Sequence, residues 1–233
     1  MKRRGCSMNS EVSALNTEKI TTYYKFKRVI YLSIKRLFDI LVSMIGLVLL
    51  IPIAIIVKIA YMATGDFTSI LFTQDRIGKN GKLFKFYKFR SMVPNADEIL
   101  FKALAEDEKL REEYSMNKKI KNDPRITKVG KMIRKLSIDE LPQMINIFLG
   151  DMSLIGNRPY LPREQRDMGI FYDDIIKTKP GLTGWWQVSG RNDVSFKKRL
   201  QLEQFYSNNS GFRIDTKIFF KTFKVVLHGK GAE

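Results

Sequence analysis

The stretch Ile40–Val57, ILVSMIGLVLLIPIAIIV, decides how the rest of this sequence is read. It carries no charged residue and reaches about the minimum length at which a helix crosses a bilayer. Its apolar character runs all round the helix, which sets it apart from a core helix of a soluble protein, where one stripe is apolar and the rest polar. Pro52 stands inside the run. It lacks a backbone donor and crowds the Val48 carbonyl, so a kink near Leu50–Pro52 is predicted. Both flanks are basic, with Lys25, Lys27, Arg28, Lys35 and Arg36 before the run and Lys58, Arg76, Lys79, Lys82, Lys85 and Lys88 after it. Cytoplasmic ends of membrane helices carry an excess of Lys and Arg. A bent helix that enters and leaves on one face satisfies that rule at both ends, and this re-entrant hairpin is favoured over a simple span.

Outside the run, charge is the dominant signal. The chain of 233 residues has 41 Lys and Arg against 24 Asp and Glu, a formal net charge of +17. The length suits one catalytic unit with extras, and the charge predicts a polyanionic partner: nucleic acid, anionic lipid or phosphorylated substrates. No helix-turn-helix, zinc-ligand spacing or aromatic RNA-binding signature is present, so nucleic acid is set aside as a partner. The single cysteine, Cys6, excludes an internal disulfide framework, and with His228 as the sole histidine a Cys/His metal site is excluded too.

Three segments follow: a basic N-terminal extension over 1–34, a re-entrant membrane helix hairpin over 35–64, and a cytoplasmic catalytic domain over 65–233. Ile70–Ile77 and Leu83–Phe89 flank Gly78-Lys79-Asn80-Gly81, and Asn-Gly between strand-like runs predicts a β-hairpin. Helices are predicted over Ala96–Tyr114, Lys128–Lys135, Glu140–Leu149 with Gly150 as C-cap, and Ser195–Tyr206, with loops over 156–162 and 180–190. Lys217, Lys221 and Lys224 recur beside Ile218, Phe219, Phe220, Phe223, Val226 and Leu227 as a basic amphipathic helix, suited either to the headgroup layer or to packing on the domain. The fold class expected is mainly α with a small β-hairpin, a re-entrant membrane helix and interfacial helices, that is, a monotopic membrane protein.

Three stretches could carry chemistry. Asp97-Glu98 follows the basic, aromatic run Lys85–Arg90. One carboxylate could attack phosphorus while the other holds Mg²⁺ against a diphosphate. The competing reading is local: Asn95 as N-cap, Glu98 three residues on as its capping-box partner, and Asp97 complementing the helix dipole. In Lys179–Asn192, glycines and a proline position Trp185, Trp186, Gln187, Arg191 and Asn192. Arg191 could grip phosphate and the tryptophans could stack on a base, or the loop could be a turn with Trp at the membrane boundary. Asp139-Glu140-Leu141-Pro142-Gln143 leads through Gly150-Asp151-Met152-Ser153 to Arg158-Pro159, where Asp139 could cap a helix and Arg158 could pair with a surface acid.

Together with Lys35-Arg36-Leu37-Phe38-Asp39, Lys88-Phe89-Arg90-Ser91-Met92 and the Pro-broken run, these stretches in this order resemble the bacterial sugar transferase family, the monotopic phosphoglycosyl transferases, from about Lys35 to the C-terminus. The resemblance implies that Asp97 attacks the sugar-bearing phosphate of a UDP-sugar, releasing UMP, and that undecaprenyl phosphate then takes the phosphosugar as the priming step of polysaccharide synthesis. It also implies Mg²⁺ held by Glu98, phosphate contacts from Arg90, Arg158 and Arg191, substrate contacts from Gln187 and Asn192, and a catalytic domain on the cytoplasmic face of the inner membrane. Ser189-Gly190-Arg191-Asn192-Asp193 and Gly229-Lys230-Gly231 resemble the hexose-1-phosphate branch, which includes undecaprenyl-phosphate galactose and glucose phosphotransferases. Ile51 and Asn157 depart from the family's usual Ser and Pro. Asn157 predicts a less rigid loop before Arg158. Direct transfer without a covalent intermediate, a non-enzymatic membrane scaffold and a homo-oligomer all stay open at this point.

Overall fold

A computed structural model describes residues 5–117, 120, 123–190 and 194–227. The first element, α1, is a helix over Gly5–Ala63 whose helical assignment continues through Pro52 without interruption. Contacts divide the chain between Phe38 and Asp39 into two compact units. In the first, aromatic side chains are covered by their own basic neighbours: Lys27 lies over the Tyr23 ring, and Arg28 and Lys35 over Tyr31.

In the second unit, the rest of α1 is one-sided. Gly46, Val57 and Tyr61 face the fold, while Ile45, Val48, Ile51, Ile55, Ile56 and Ile59 are more than half exposed. This is the one stretch among the described residues long and apolar enough to cross a membrane. The exposure rules out a buried core helix and leaves an apolar surface that water would not tolerate. Asp39 ties α1 to the domain, accepting the Leu154 N–H at 2.9 Å and the Ser153 hydroxyl at 3.1 Å.

The hairpin forms where Asn80-Gly81 predicts it. Strands β1 (Leu71–Ile77) and β2 (Leu83–Phe89) pair antiparallel, Leu71 opposite Phe89, and both turn residues take positive φ. Phe84 and Phe86 of β2 face a core with Met144, Ile147 and Met152, and Phe89 joins Val57, Tyr61, Val129 and Ile133. The expected single helix over Ala96–Tyr114 is two: α2 (Ala96–Glu106) and α3 (Glu108–Asn117). Asp107 is extended, and its carboxylate accepts the Leu110 N–H at 3.1 Å, starting the second helix.

Helix α4 (Lys128–Lys135) is capped by the Thr127 hydroxyl, and α5 (Gln143–Leu149) ends at Gly150 with φ of 92°. The side chain of Asn146, fully buried, bonds both Tyr87 N–H and Lys85 carbonyl, fixing α5 on β2. Strands β3 (Ser153–Ile155) and β4 (Gly181–Thr183) form a short parallel pair that the sequence does not reveal. It requires glycine, because a Cβ on Gly181 would lie 2.0 Å from Gly156 N. Short helices α6 (Gln165–Met168), α7 (Tyr172–Ile175) and α8 (Trp185–Val188) precede α9 (Phe196–Asn209) and α10 (Phe212–Leu227). In α10, Ile218 is fully buried while Phe220 and Phe223 are exposed, so the helix both packs on the domain and presents aromatic rings outward.

Candidate active site

Asp97 and Glu98 occupy the first turn of α2, both exposed. The capping part of the local reading fails, since Asn95 sits in the left-handed region at φ 61° and its side chain makes no cap hydrogen bond, while both acids stand in the first turn, where they complement the helix dipole. The α2 N-terminus is held from elsewhere. Arg125 donates to the Ala96 carbonyl at 3.2 Å while gripping Asp123 through Nε at 2.8 Å and Nη2 at 2.6 Å. The Arg125 carbonyl also takes the Val93 N–H at 2.8 Å. The acidic pair is thus presented on a helix end braced by Arg125 rather than by a side-chain cap.

Asp97 meets Arg163 Nη2 at 3.8 Å, and beyond Arg163 stands a cluster of arginines. Arg76 of β1 donates to the Pro159 carbonyl and Gln74, each at 3.0 Å. Burial and the neighbouring Arg158 bring its guanidinium down to about 9. Arg199 of α9 is 5% exposed and lies 4.5 Å over the Trp186 ring, with burial and then Arg158 lowering its pKa. Glu203, one turn on, is 1% exposed and accepts the Arg158 backbone N–H at 3.0 Å. Burial pushes Glu203 up to about 7 and, with Glu203 beside it, raises Tyr160.

Among the described residues, the buried side-chain nitrogen and oxygen atoms without a hydrogen bond all fall here: Nε of Arg76, Arg158 and Arg199, Trp186 Nε1, Gln187 Oε1, Tyr160 Oη and Glu203 Oε2. Buried polar groups are nearly always bonded, so their concentration in one region marks a place built for something other than stability. Arg76, Arg158, Arg163 and Arg199 give the region an excess of cationic charge, the chemistry that suits an anion.

The other residues singled out in the sequence are distributed as follows. Arg90 directs its guanidinium to the loop after α1, with Nε on the Ser69 carbonyl and Nη2 on Asp66, both at 2.8 Å. Hydrogen bonds from Thr68 and Arg90 hold Asp66 at about 2. Lys88 lies 3.4 Å from Asp139 and 3.6 Å from Glu140, so the Lys-Phe-Arg and Asp-Glu stretches meet, and burial raises Asp139. Gln187 points into the loop beside Leu182 and Gly184. Trp185 packs on Phe205 with Lys217 and Lys221 over its ring, while Trp186 is buried under Arg199. Arg191 and Asn192, like the Gly229-Lys230-Gly231 ending, lie outside the described residues.

The expectation of a loose loop at Asn157 is overturned. Its Nδ2 lies 2.6 Å from Ser207 Oγ and 3.2 Å from both the Ile175 carbonyl and Thr178 Oγ1, and its carbonyl takes the Gly181 N–H. A buried amide pins the segment that Arg158 follows. The sequence motifs do not mark Arg76, Arg163, Arg199, Tyr160 or Glu203 as site residues. The available signal was Arg199 and Glu203 on the apolar face of their helix, in step with Phe196, Leu200 and Tyr206.

Comparison with known proteins points the same way. A family described as bacterial sugar transferase matches residues 30–229. The undecaprenyl-phosphate galactose phosphotransferase of Salmonella typhimurium is 46% identical over 199 residues, 85% of this chain and 41% of that protein. The UDP-galactose-lipid carrier transferase of Erwinia amylovora is 42% identical over the same shares. This chain therefore spans less than half the length of either. The exopolysaccharide production protein ExoY of Sinorhizobium fredii is 39% identical, and there the match covers 85% of this chain and 87% of the relative.

Proposed function

We infer function from membership: the chain belongs to the bacterial sugar transferase family, and we propose that it moves a hexose 1-phosphate from a UDP-sugar to undecaprenyl phosphate, priming a polysaccharide. The observation that carries this reading is an exposed acidic pair that makes no cap hydrogen bond and that Arg163 links to arginines whose buried nitrogens lack partners. Relatives named for galactose make UDP-galactose the first donor to test.

The geometry suits a two-step exchange. An Asp97 carboxylate oxygen attacks the sugar-bearing phosphorus, the bond to the bridging oxygen breaks, and that oxygen leaves on UMP. An oxygen of undecaprenyl phosphate then attacks the same phosphorus, the bond to Asp97 breaks, and the lipid diphosphate sugar departs. Arg158 and Arg199 would supply the positive charge that the equatorial oxygens call for, and Arg163 links the cluster to Asp97.

Mg²⁺ fits the residues present. Among the described residues no three metal-ligating side chains gather, and Mg²⁺ commonly takes one or two carboxylates, completing its shell with substrate phosphate and water. Glu98 would hold it, and the ion would neutralise the leaving diphosphate.

The apolar, exposed face of α1 places the chain in the membrane in this reading, with re-entry on the cytoplasmic face because both flanks of the run are basic. In this reading re-entry would be a bend at Pro52 within a segment that is helical on both sides of it. The test is UMP release from a panel of UDP-hexoses with Mg²⁺ and undecaprenyl phosphate. The native protein releases UMP, whereas Asp97→Asn and Glu98→Gln do not. No UMP from any donor with folded protein would overturn the assignment.

A further inference from the structure

The arginine cluster carries more positive charge than its neighbours neutralise, and its two carboxylates are used differently. Glu164 commits Oε2 to the Leu161 N–H at 2.7 Å. Glu203 gives one oxygen to the Arg158 N–H and turns the other toward the Tyr160 hydroxyl without a hydrogen bond of ordinary geometry, although it is 1% exposed and flanked by Arg158 and Arg199. The Nε atoms of those arginines are unbonded as well, so carboxylate and guanidinium stand close without closing into an ion pair.

We propose that Glu203 is a positioning residue that sets the affinity of Arg158 and Arg199 for a phosphate-type dianion, acting as a nearby counter-charge that never pairs with them. A carboxylate locked onto a guanidinium would have to be displaced by every incoming phosphate, at a cost in affinity. One held apart keeps the arginines oriented and unspent. Its charge then decides how strongly the cluster attracts an anion. Burial pushes Glu203 up to about 7 against the opposing pull of Tyr160, Arg158 and Arg199, and Glu164 in turn faces Arg199 and Arg76. Below that point the carboxyl is neutral and the cluster attracts an anion strongly. Above it the carboxylate opposes the anion, so binding a dianion takes up a proton. The inference rests on reading the cluster as the phosphate cradle.

Inorganic sulfate is a suitable probe because it stays a dianion over this range and needs neither nucleotide nor turnover. Its binding to the full chain in detergent, measured calorimetrically, is expected to weaken roughly tenfold between about pH 6 and about pH 8, a coupling of about one pKa unit. Glu203→Gln should flatten that profile and bind more tightly than native at the higher pH, with its thermal midpoint retained. Glu203→Asp should keep the slope, and Arg158→Gln should remove the binding. Equal profiles in native and Glu203→Gln, or sulfate binding lost from Glu203→Gln together with a large fall in thermal midpoint, would overturn the role of Glu203. A native chain that ignores sulfate would overturn the cradle and the inference with it, while UMP release judges the transferase assignment separately.

Discussion

Asp97 and Glu98 stand exposed on one helix end and meet the arginine cluster through a single long contact, whereas Arg76, Arg158, Arg199 and Glu203 come from three segments and hold one another under cover. In the proposed reaction the acidic group is chemistry set on a finished scaffold. The basic group is scaffold already, since its partners include the backbone at Arg158 and Pro159 and the ring of Trp186, and in the proposed reaction it is the binding site as well. A nucleophile needs access, and donors that stabilise developing charge need fixed positions in a dry setting. Substitutions in the two regions should therefore separate activity from stability.

Asp97→Asn tests the separation at its widest. UMP release should fall about a thousand-fold or more, as expected for a lost nucleophile. The thermal midpoint should move by roughly 2 °C at most, because exposed substitutions stay within about 0.5 kcal/mol. An unchanged rate would place the nucleophile elsewhere. Asn157→Leu is the opposite case: it strips the donor shared by Ile175, Thr178 and Ser207 at a 3% exposed position. About 2 kcal/mol should be lost, read as a midpoint lower by roughly 5 °C. A midpoint equal to native would show that the loop is pinned by its backbone alone.

The same contrast governs what the sequence discloses. Asp97-Glu98 is legible because adjacency in sequence is adjacency on the helix, and the hairpin is legible because Asn80-Gly81 dictates its own turn. Helix α4 and the Gly150 stop are likewise written in local chemistry. The arginine cluster gathers residues from 76 to 203, and no local rule places Arg158 of a loop beside both Arg76 of a strand and Glu203 of a helix. The β3–β4 pair is hidden for the same reason, with three residues a side and partners as distant as Ser153 and Gly181. Asp107 misleads because helical periodicity continues past it, and only its extended backbone reveals the break. The lesson at Asn157 is about chemistry rather than distance: proline stiffens a loop by removing a torsion, and a buried amide reaches the same end by hydrogen bonding.

Smaller effects sharpen the boundary between the two regions. Arg158→Lys keeps a charge but loses the planar fork, so the donor KM should rise roughly tenfold while the thermal midpoint falls little, because the Glu203 contact is to the Arg158 backbone. A KM equal to native would mean that Arg158 serves the fold and Arg199 the phosphate.

The weakest link is the most informative, because it lies on the boundary itself. Arg163 and Asp97 are 45% and 57% exposed at 3.8 Å, and such pairs contribute about 0–1 kcal/mol. If the contact only steadies the nucleophile, Arg163→Gln should lower kcat/KM by about threefold or less, and added salt should slow the native enzyme by a similar factor while leaving the variant unmoved. A loss of roughly a hundredfold would mean that Arg163 closes on the transferring phosphate and belongs, despite its exposure, with the buried arginines.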